Sequence, residues 1–216
     1  MRYEKKYQID HLPRAAVEQM LQLHPAGFRR LFPNRQVNNI YYDTSDYQTF
    51  RQNVDGVPYR KKFRLRWYGP DTQRISQPRL EVKIKRGELG AKLISPFPDS
   101  IMNQLTSVNR QVNHLLLNQK SGVTLLQPTL VNHYLRSYWA TPNGCFRLTV
   151  DDRLQFRSPL NSSRFYDTPV AEPAVILEIK YAATDDRTAR FIFDHLPFRQ
   201  TKKSKYGTGL LLAFNH

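Results

Sequence analysis

Several segments of the chain alternate between polar and apolar residues at a period of two, which is typical of β-strands with two different faces. The clearest segment is Tyr59–Tyr68, where Phe63, Leu65 and Trp67 alternate with cations. The cations on the other face are Arg60, Lys62, Arg64 and Arg66. Neighbours on one face lie roughly 7 Å apart, so each adjacent pair costs on the order of 2 kcal/mol at an effective dielectric constant of about 20. Such a face is either exposed to water or built to bind a polyanion.

The same alternation returns in other segments, which are separated by stretches with apolar residues at helical spacing. Besides the cationic strand, predicted strands cover residues 1–9, 37–44, 79–86, 131–139, 145–154 and 174–181. Predicted helices cover residues 13–24, 99–120 and 185–195, and Asp10 is the expected cap of the first helix. Asp55 and Gly56 predict a hairpin turn that leads into the cationic strand. The sequence contains no long linker, so we expect one domain over residues 1–216.

The charged faces of these strands predict how the sheet is arranged. For any one strand, a solvated polar face is the more common explanation. Here at least five strands carry charges on one face and apolar groups on the other. We therefore predict an α+β fold, a closed antiparallel barrel of about eight strands with helices outside and a basic tunnel inside. The predicted inward-facing residues are Glu4, Lys6, Lys62, Arg64, Arg66, Glu81, Lys83, Lys85, Arg136, Arg147, Asp151, Glu178 and Lys180.

The composition adds a strong positive charge to this picture. The chain has 33 Lys and Arg against 18 Asp and Glu, a formal net charge of +15. Such a charge attracts phosphates, nucleic acids or acidic membrane surfaces. The single cysteine, Cys145, excludes an internal disulfide and fits a reducing compartment, and we expect its side chain to be buried. The sequence has no apolar run of about 18 residues, so we expect a soluble, cytoplasmic protein.

The charged residues have the chemistry that phosphoryl transfer requires. Arginine binds phosphate oxygens through paired hydrogen bonds, lysine adds a point charge, and carboxylates can hold a divalent cation that bridges phosphates. Glu178, together with Asp151 or Glu4, is the predicted metal site. Taken alone, Glu4 or Glu81 is better explained by an ion pair with a neighbouring cation. The six histidines show no metal-ligand spacing, so zinc is not expected.

A series of short motifs follows in order along the chain. They are YEKKY (3–7), IYYDT (40–44), RKKFRLRWYG (60–69), EVKIK (81–85), YLR (134–136), RLTVD (147–151), LEIKY (177–181) and SKYGTG (204–209). This series resembles the VTC domain, the catalytic domain of the vacuolar transporter chaperone, within the triphosphate tunnel metalloenzymes. The resemblance implies an eight-stranded tunnel in which a nucleoside triphosphate, with ATP the expected donor, gives its terminal phosphate to a growing inorganic polyphosphate chain with Mn²⁺ or Mg²⁺.

The resemblance also implies roles for individual residues. The implied catalytic cations, which cradle the phosphates, are Lys6, Arg64, Arg66, Lys83, Arg136, Arg147 and Lys205. The expected additional substrate contacts are Lys62, Lys85, Tyr134 and Lys180. The implied metal ligand is Glu178, with Asp151 and Glu4 beside it. Lys205 is supported only by its place in the SKY motif, because Lys202 and Lys203 beside it suggest an ordinary charged surface.

One departure from the wider superfamily bears on the reaction. Hydrolytic tunnel enzymes share Glu-x-Glu-x-Lys in the first strand, whereas this chain has Arg2, Glu4 and Lys6 at the matching positions. The lost carboxylate favours a polymerase over a two-metal hydrolase of triphosphate or short polyphosphate, which stays the first alternative. The second alternative is a non-catalytic module that binds polyphosphate or another polyanion.

Nucleic acid is a less favoured ligand of the cationic faces. The carboxylates on those faces would repel a phosphate backbone unless a metal ion lay between them. Aromatic side chains could nevertheless stack on bases, and the candidates are Trp67, Tyr68, Tyr134 and Tyr138. Partner proteins, including one in a membrane, and the oligomeric state stay open.

Overall fold

The computed structural model describes residues 2–87, 89–118, 125–159, 169–201 and 204–214. Its strands are β1 Arg2–Ile9, β2 Arg29–Asp43, β3 Tyr59–Tyr68, β4 Arg74–Ile75, β5 Arg79–Arg86, β6 Leu89–Pro96, β7 Ser100–Ile101, β8 Gln127–Ala140, β9 Arg147–Arg157, β10 Val170–Glu172 and β11 Val175–Ala182. Its α-helices are α1 Arg14–Leu23, α2 Gln48–Val54, α3 Leu105–Asn118, α4 Asp186–Asp194 and α5 Lys205–Phe214. Among the described helices, none has the length and hydropathy needed to cross a membrane.

The fold is mixed α+β, as predicted, and is built on one large antiparallel sheet. Its strand order is β1-β11-β9-β8-β2-β3-β5-β6, with β10 paired to β9, while β4 and β7 form a separate pair. This order has two ends, so the predicted closure into a barrel is not confirmed. The chain forms two compact units. The first comprises Met1–Gln36, Tyr134–Gln155 and Ala171–Lys203, and the second comprises Val37–His133, Phe156–Val170 and Ser204–His216.

The first unit has a core on the apolar face of β1, β9 and β11. Val17 and Leu21, one turn apart on α1, are fully buried in this core together with Leu177 of β11. Ala189 and Ile192 of α4 pack into the same cluster. Because side chains alternate across a strand, this packing leaves the charged residues of the three strands on the opposite face.

The second unit has its own core on the apolar face of β3 and β5. Phe63, Leu65 and Trp67 are buried there, as the alternation of the cationic strand predicts. Val108 and Val112 of α3 belong to the same cluster. The cations of β3 therefore lie on the face of the strand that is turned away from this core.

Several elements differ from the prediction. The segment before the cationic strand, expected to end in a hairpin, contains α2, because the buried Asp43 carboxylate accepts hydrogen bonds from the N–H groups of Thr49 and Phe50 at 2.8 and 2.9 Å. Strand β2 begins eight residues earlier than predicted, at Arg29. The strand β6 and the helix α5 were not predicted.

Two side chains also differ from the prediction. Asp10 does not cap α1, whose N-cap residue is Pro13, and instead accepts a hydrogen bond of 2.7 Å from the side chain of Gln8. Cys145 is exposed rather than buried. The turn before β9 explains this exposure, since Gly144 has a φ of 70° and the backbone N–H of Cys145 donates to the side chain of Asn143.

Candidate functional site

Charged side chains of three neighbouring strands share one face of the first unit. The register pairs Glu4 with Lys180 and Lys6 with Glu178 across β1 and β11. On the other side of β11, Arg147 is paired with Lys180, and Thr149 with Glu178. Two rows of side chains result: Glu4, Lys180 and Arg147, and beside them Lys6, Glu178 and Thr149. We call this surface the β1–β11–β9 face.

Ion pairs link the two rows of this face. Lys6 Nζ lies 2.8 Å from Glu4 Oε1 and 3.7 Å from Glu178 Oε2. Lys180 Nζ lies 2.6 Å from Glu178 Oε1. Glu178 is buried, whereas Lys180 and Arg147 are exposed. Lys6 and Lys180 remain partly exposed in these ion pairs. Because partly exposed ion pairs are weak, either lysine could leave its carboxylate and bind an anion instead.

Arg136 on β8 is held by a buried carboxylate and lies over an aromatic ring. Its Nε and Nη2 donate to the two carboxylate oxygens of Asp151 at 2.5 and 2.7 Å, and Asp151 is fully buried. Its guanidinium carbon also lies 5.2 Å from the ring centroid of the buried Tyr134. Burial alone would lower the pKa of Arg136, but the Asp151 carboxylate raises it well above its usual value, with smaller contributions from Tyr134 and Glu178. The guanidinium is therefore charged and held in one orientation.

The carboxylates of the first unit differ in their fitness to hold a metal ion. Among the described residues, no group of three or more His, Cys, Asp or Glu could hold one. Both oxygens of Asp151 accept hydrogen bonds from Arg136, so Asp151 holds this guanidinium in place, and its role as a metal ligand stays a prediction. Glu4 and Glu178 both lie within reach of Lys6. They fit a Mg²⁺- or Mn²⁺-type site in which one or two carboxylates are completed by phosphate and water oxygens.

The second unit carries a cationic face of its own on β3, β5 and β6. The register places Lys62 opposite Lys83 and Lys83 opposite Lys92, so three lysines form one row. Arg60 is paired with Lys85 in the next row. We call this surface the β3–β5–β6 face. The concentration of like charges is typical of a surface that binds a polyanion.

Glu81 is the acidic centre of the β3–β5–β6 face. It is buried and forms ion pairs with Arg64 and with Lys92, whose Nζ lies 2.6 Å from Glu81 Oε1. Arg66 Nη1 lies 3.9 Å from Glu81 Oε2. Burial alone would raise the pKa of Glu81, but the charges of Arg64, Arg66 and Lys92 lower it to about 2. Glu81 is thus the ion-paired carboxylate expected from the sequence, and it holds three cations together.

Arg66 is held by two asparagines that the sequence did not single out. Its Nε donates to Asn39 Oδ1 at 2.9 Å, and Asn39 Nδ2 donates to Asn132 Oδ1 at 2.8 Å. All three residues are buried. The available signal was the polar pair Asn38 and Asn39 among the apolar and aromatic residues of 37–42, since buried polar groups need partners.

Tyr206, which follows Lys205, anchors the beginning of α5 to strand β2. The Tyr206 hydroxyl donates to Asp43 Oδ2 at 2.7 Å, and its ring stacks on Tyr41 with the centroids 5.1 Å apart. Tyr41 is paired with Arg64 in the register of β2 and β3. The motifs IYYDT and SKYGTG therefore meet in the second unit, and Lys205 stands at the helix start that their contact fixes.

The predicted site residues divide between the two units. Those in the first unit are Glu4, Lys6, Tyr134, Arg136, Arg147, Asp151, Glu178 and Lys180. Those in the second unit are Lys62, Arg64, Arg66, Lys83, Lys85 and Lys205. Sequence reasoning missed Lys92, because β6 was not predicted. The functional roles of all these residues stay predictions.

Comparisons with known proteins identify a family and a fold. The family model of the VTC domain matches residues 1–214. No curated protein sequence matches the chain. Among solved structures, HpAC1 from Hippeastrum, proposed as an adenylyl cyclase and described with a dominant triphosphatase activity, is 13% identical, with a TM-score of 0.53 and coverage of 96% of this chain and 94% of that one.

Two further solved structures have the same fold. The PH1819 protein from Pyrococcus horikoshii is 11% identical, with a TM-score of 0.53 and coverage of 97% of this chain and 95% of that one. A protein from Bacillus halodurans, proposed as an adenylate cyclase, is 11% identical, with a TM-score of 0.57 and coverage of 94% of both chains. At these identities the likeness concerns the fold alone.

Proposed function

The chain belongs to the VTC domain family, and from this premise we propose that it is a polyphosphate polymerase. Its substrate is a nucleoside triphosphate, with ATP the proposed donor, and its product is a longer inorganic polyphosphate chain. The strongest support is the fixed, charged guanidinium of Arg136, which lies on the same side of the sheet as the exchangeable lysines of the β1–β11–β9 face.

The proposed reaction needs little covalent help from the protein. The bond between the γ-phosphorus and the oxygen that bridges it to the β-phosphorus breaks, and the nucleoside diphosphate leaves with that oxygen. A terminal oxygen of the acceptor polyphosphate forms the new bond to the γ-phosphorus. The protein orients both anions and neutralises their charge, which accounts for most of the catalysis in phosphoryl transfer. The proposed phosphate-binding residues are Lys6, Lys62, Arg64, Arg66, Lys83, Lys85, Tyr134, Arg136, Arg147, Lys180 and Lys205.

A divalent cation, Mn²⁺ or Mg²⁺, belongs to this proposal. Glu178 and Glu4 would hold it, and when bound it would add positive charge next to the phosphate oxygens. Lys6 lies between the two carboxylates and would then be released to bind a phosphate oxygen. Asp151, predicted as a third ligand, is assigned instead to positioning Arg136.

A triphosphatase is the second candidate function. It is favoured by the description of the Hippeastrum protein, which shares the fold and has triphosphatase activity. The two reactions differ only in the acceptor, because water replaces the terminal oxygen of the polyphosphate chain. Arg2 is exposed at the start of β1. It stands where hydrolytic tunnel enzymes have the first carboxylate of their motif, and the loss of that carboxylate supports the polymerase.

The proposal is tested by incubating the purified protein with ATP and Mn²⁺ and separating the products by length on a gel. We expect a ladder of polyphosphate that Glu178→Gln abolishes and that Asp10→Asn leaves intact, because Asp10 is an exposed carboxylate that lies just after the strand of Lys6. Release of phosphate without a ladder would identify a triphosphatase. Binding of triphosphate without turnover would contradict both enzymes and leave a polyanion-binding module.

A further inference from the structure

Two aromatic rings and one arginine form a cluster in the first unit that the proposed reaction does not use. Phe32 on β2 and Tyr138 on β8 meet edge to face, with ring centroids 5.8 Å apart and planes at 83°. The guanidinium carbon of Arg35 lies 5.3 Å from the Phe32 centroid and 5.9 Å from the Tyr138 centroid. We call these three residues the aromatic platform. Phe32 remains 49% exposed, although a large apolar ring gains free energy when it is covered.

The aromatic platform continues the phosphate-binding surface along β8. Tyr138 and Arg136 are two residues apart on this strand, so their side chains point to the same face and lie roughly 7 Å apart. Arg136 is bonded to Asp151, and the β8–β9 hairpin closes with a hydrogen bond from Thr141 N to Phe146 O. Both contacts fit one antiparallel register, in which Arg136 lies opposite Asp151. In this register Tyr138, two residues after Arg136, lies opposite Thr149, two residues before Asp151.

Thr149 links the platform to the β1–β11–β9 face. It is paired with Glu178 in the register of β9 and β11, and Glu178 is paired with Lys6. Its hydroxyl is buried, and within the described residues it has no hydrogen-bond partner. A buried hydroxyl without a partner is costly, so a ligand oxygen at this position would stabilise the face. One row of side chains thus leads from Lys6 through Glu178 and Thr149 to Tyr138.

We propose that the aromatic platform binds the nucleobase of the nucleoside triphosphate, whose phosphates lie on the β1–β11–β9 face. This inference rests on the proposed function. Every base has a π-face that can stack on Phe32, and a guanidinium such as that of Arg35 is a second planar surface for stacking. Pro33 restricts the backbone next to Phe32, which lowers the entropy lost when the ring is covered.

Stacking also determines the specificity that we expect. It does not read the hydrogen-bonding edge of the base, so ATP and GTP should bind about equally. Purines present a larger ring surface than pyrimidines, so both should bind more tightly than CTP and UTP. Inorganic triphosphate lacks a base and should not contact the platform at all.

Calorimetric titrations with the magnesium complexes of ATP and of inorganic triphosphate test this inference. Phe32→Ala should weaken the binding of ATP about tenfold, a typical loss for one base–aromatic stack, and leave the binding of triphosphate unchanged. Leu31→Ala is the matched control, because Leu31 is the apolar residue next to Phe32 on the same strand and is similarly exposed, at 47%. This control should change neither affinity.

Two results would overturn the inference. If Phe32→Ala leaves ATP binding unchanged while the wild-type protein binds both ligands, the platform does not hold the base, and the proposed function stands. If Phe32→Ala weakens both ligands equally, the change acts on the phosphate-binding face rather than on a base site. A wild-type protein that binds neither ligand would contradict the proposed function and this inference together.

Discussion

Substituting Asp151 by asparagine should destabilise the protein by about 3 kcal/mol. Asp151 is fully buried, and its two oxygens accept hydrogen bonds from Arg136 at 2.5 and 2.7 Å. Asparagine has a similar shape but is neutral, and it presents an NH₂ group to a guanidinium that can only donate. The substitution therefore leaves Arg136 charged, largely buried and without its counter-charge.

The magnitude follows from the geometry of the pair. With the two charge centres about 4 Å apart and an effective dielectric constant of about 20, their attraction is worth about 4 kcal/mol. Removal of one partner from buried ion pairs costs about 3–5 kcal/mol in measured cases. The hydrogen bond that the remaining amide oxygen can still accept places the expected loss at the lower end of this range.

Urea unfolding of Asp151→Asn, of the control Asp10→Asn and of the double variant Arg136→Met/Asp151→Leu checks this expectation. The control should remain within about 0.5 kcal/mol of the wild type, because Asp10 is exposed. The double variant should recover most of the lost stability, since an apolar pair needs no counter-charge. It should still lack polymerase activity. A loss below about 1 kcal/mol in Asp151→Asn would refute the role of this ion pair.

Two further predictions concern the second unit. Because the pKa of Glu81 is lowered from 4.5 to about 2, its ionised form contributes about 3 kcal/mol of stability above pH 4.5, which is lost as the pH falls towards 2. The difference in unfolding free energy between the wild type and Glu81→Gln should shrink by this amount from pH 6 to pH 2, and a constant difference would contradict it. Gly209→Ala should lower the free energy of unfolding by about 1–2 kcal/mol, because its new Cβ would lie 2.6 Å from Leu130 Cδ2 and against the ring of the buried Phe156. Gly207→Ala, whose nearest neighbour is a serine oxygen at 3.2 Å, should cost less, and equal losses would show that helix α5 is not tightly packed at Gly209.

Strands with regular alternation could be predicted from the sequence to the residue. The cationic strand Tyr59–Tyr68 and the strand Arg79–Arg86 have the predicted bounds, because large apolar residues occupy every second position. Strand β6 was missed, since its sequence LGAKLISP has small residues and no regular alternation. Its Lys92 completes the row of three lysines, so one missed strand also concealed one candidate site residue.

The contacts that fix the site could not be predicted from periodicity. Alternation shows which face a residue occupies, but the register between distant strands decides which residues meet. For this reason the ion pair between Asp151 and Arg136 was not predicted, although the sequence placed both residues among the inward-facing charges. The hydrogen bond that Asp43 accepts from Tyr206 could not be predicted for the same reason, because Tyr206 lies near the other end of the chain.

Transfer of a labelled phosphate tests the central claim most directly. The protein is incubated with Mn²⁺ and with ATP that carries the label either on the γ-phosphate or on the α-phosphate. A polymerase predicts that only the γ-label enters a polymer, that the polymer is degraded by an exopolyphosphatase, and that one ADP appears for each phosphate incorporated. Recovery of the γ-label entirely as free phosphate would contradict the account and identify a hydrolase.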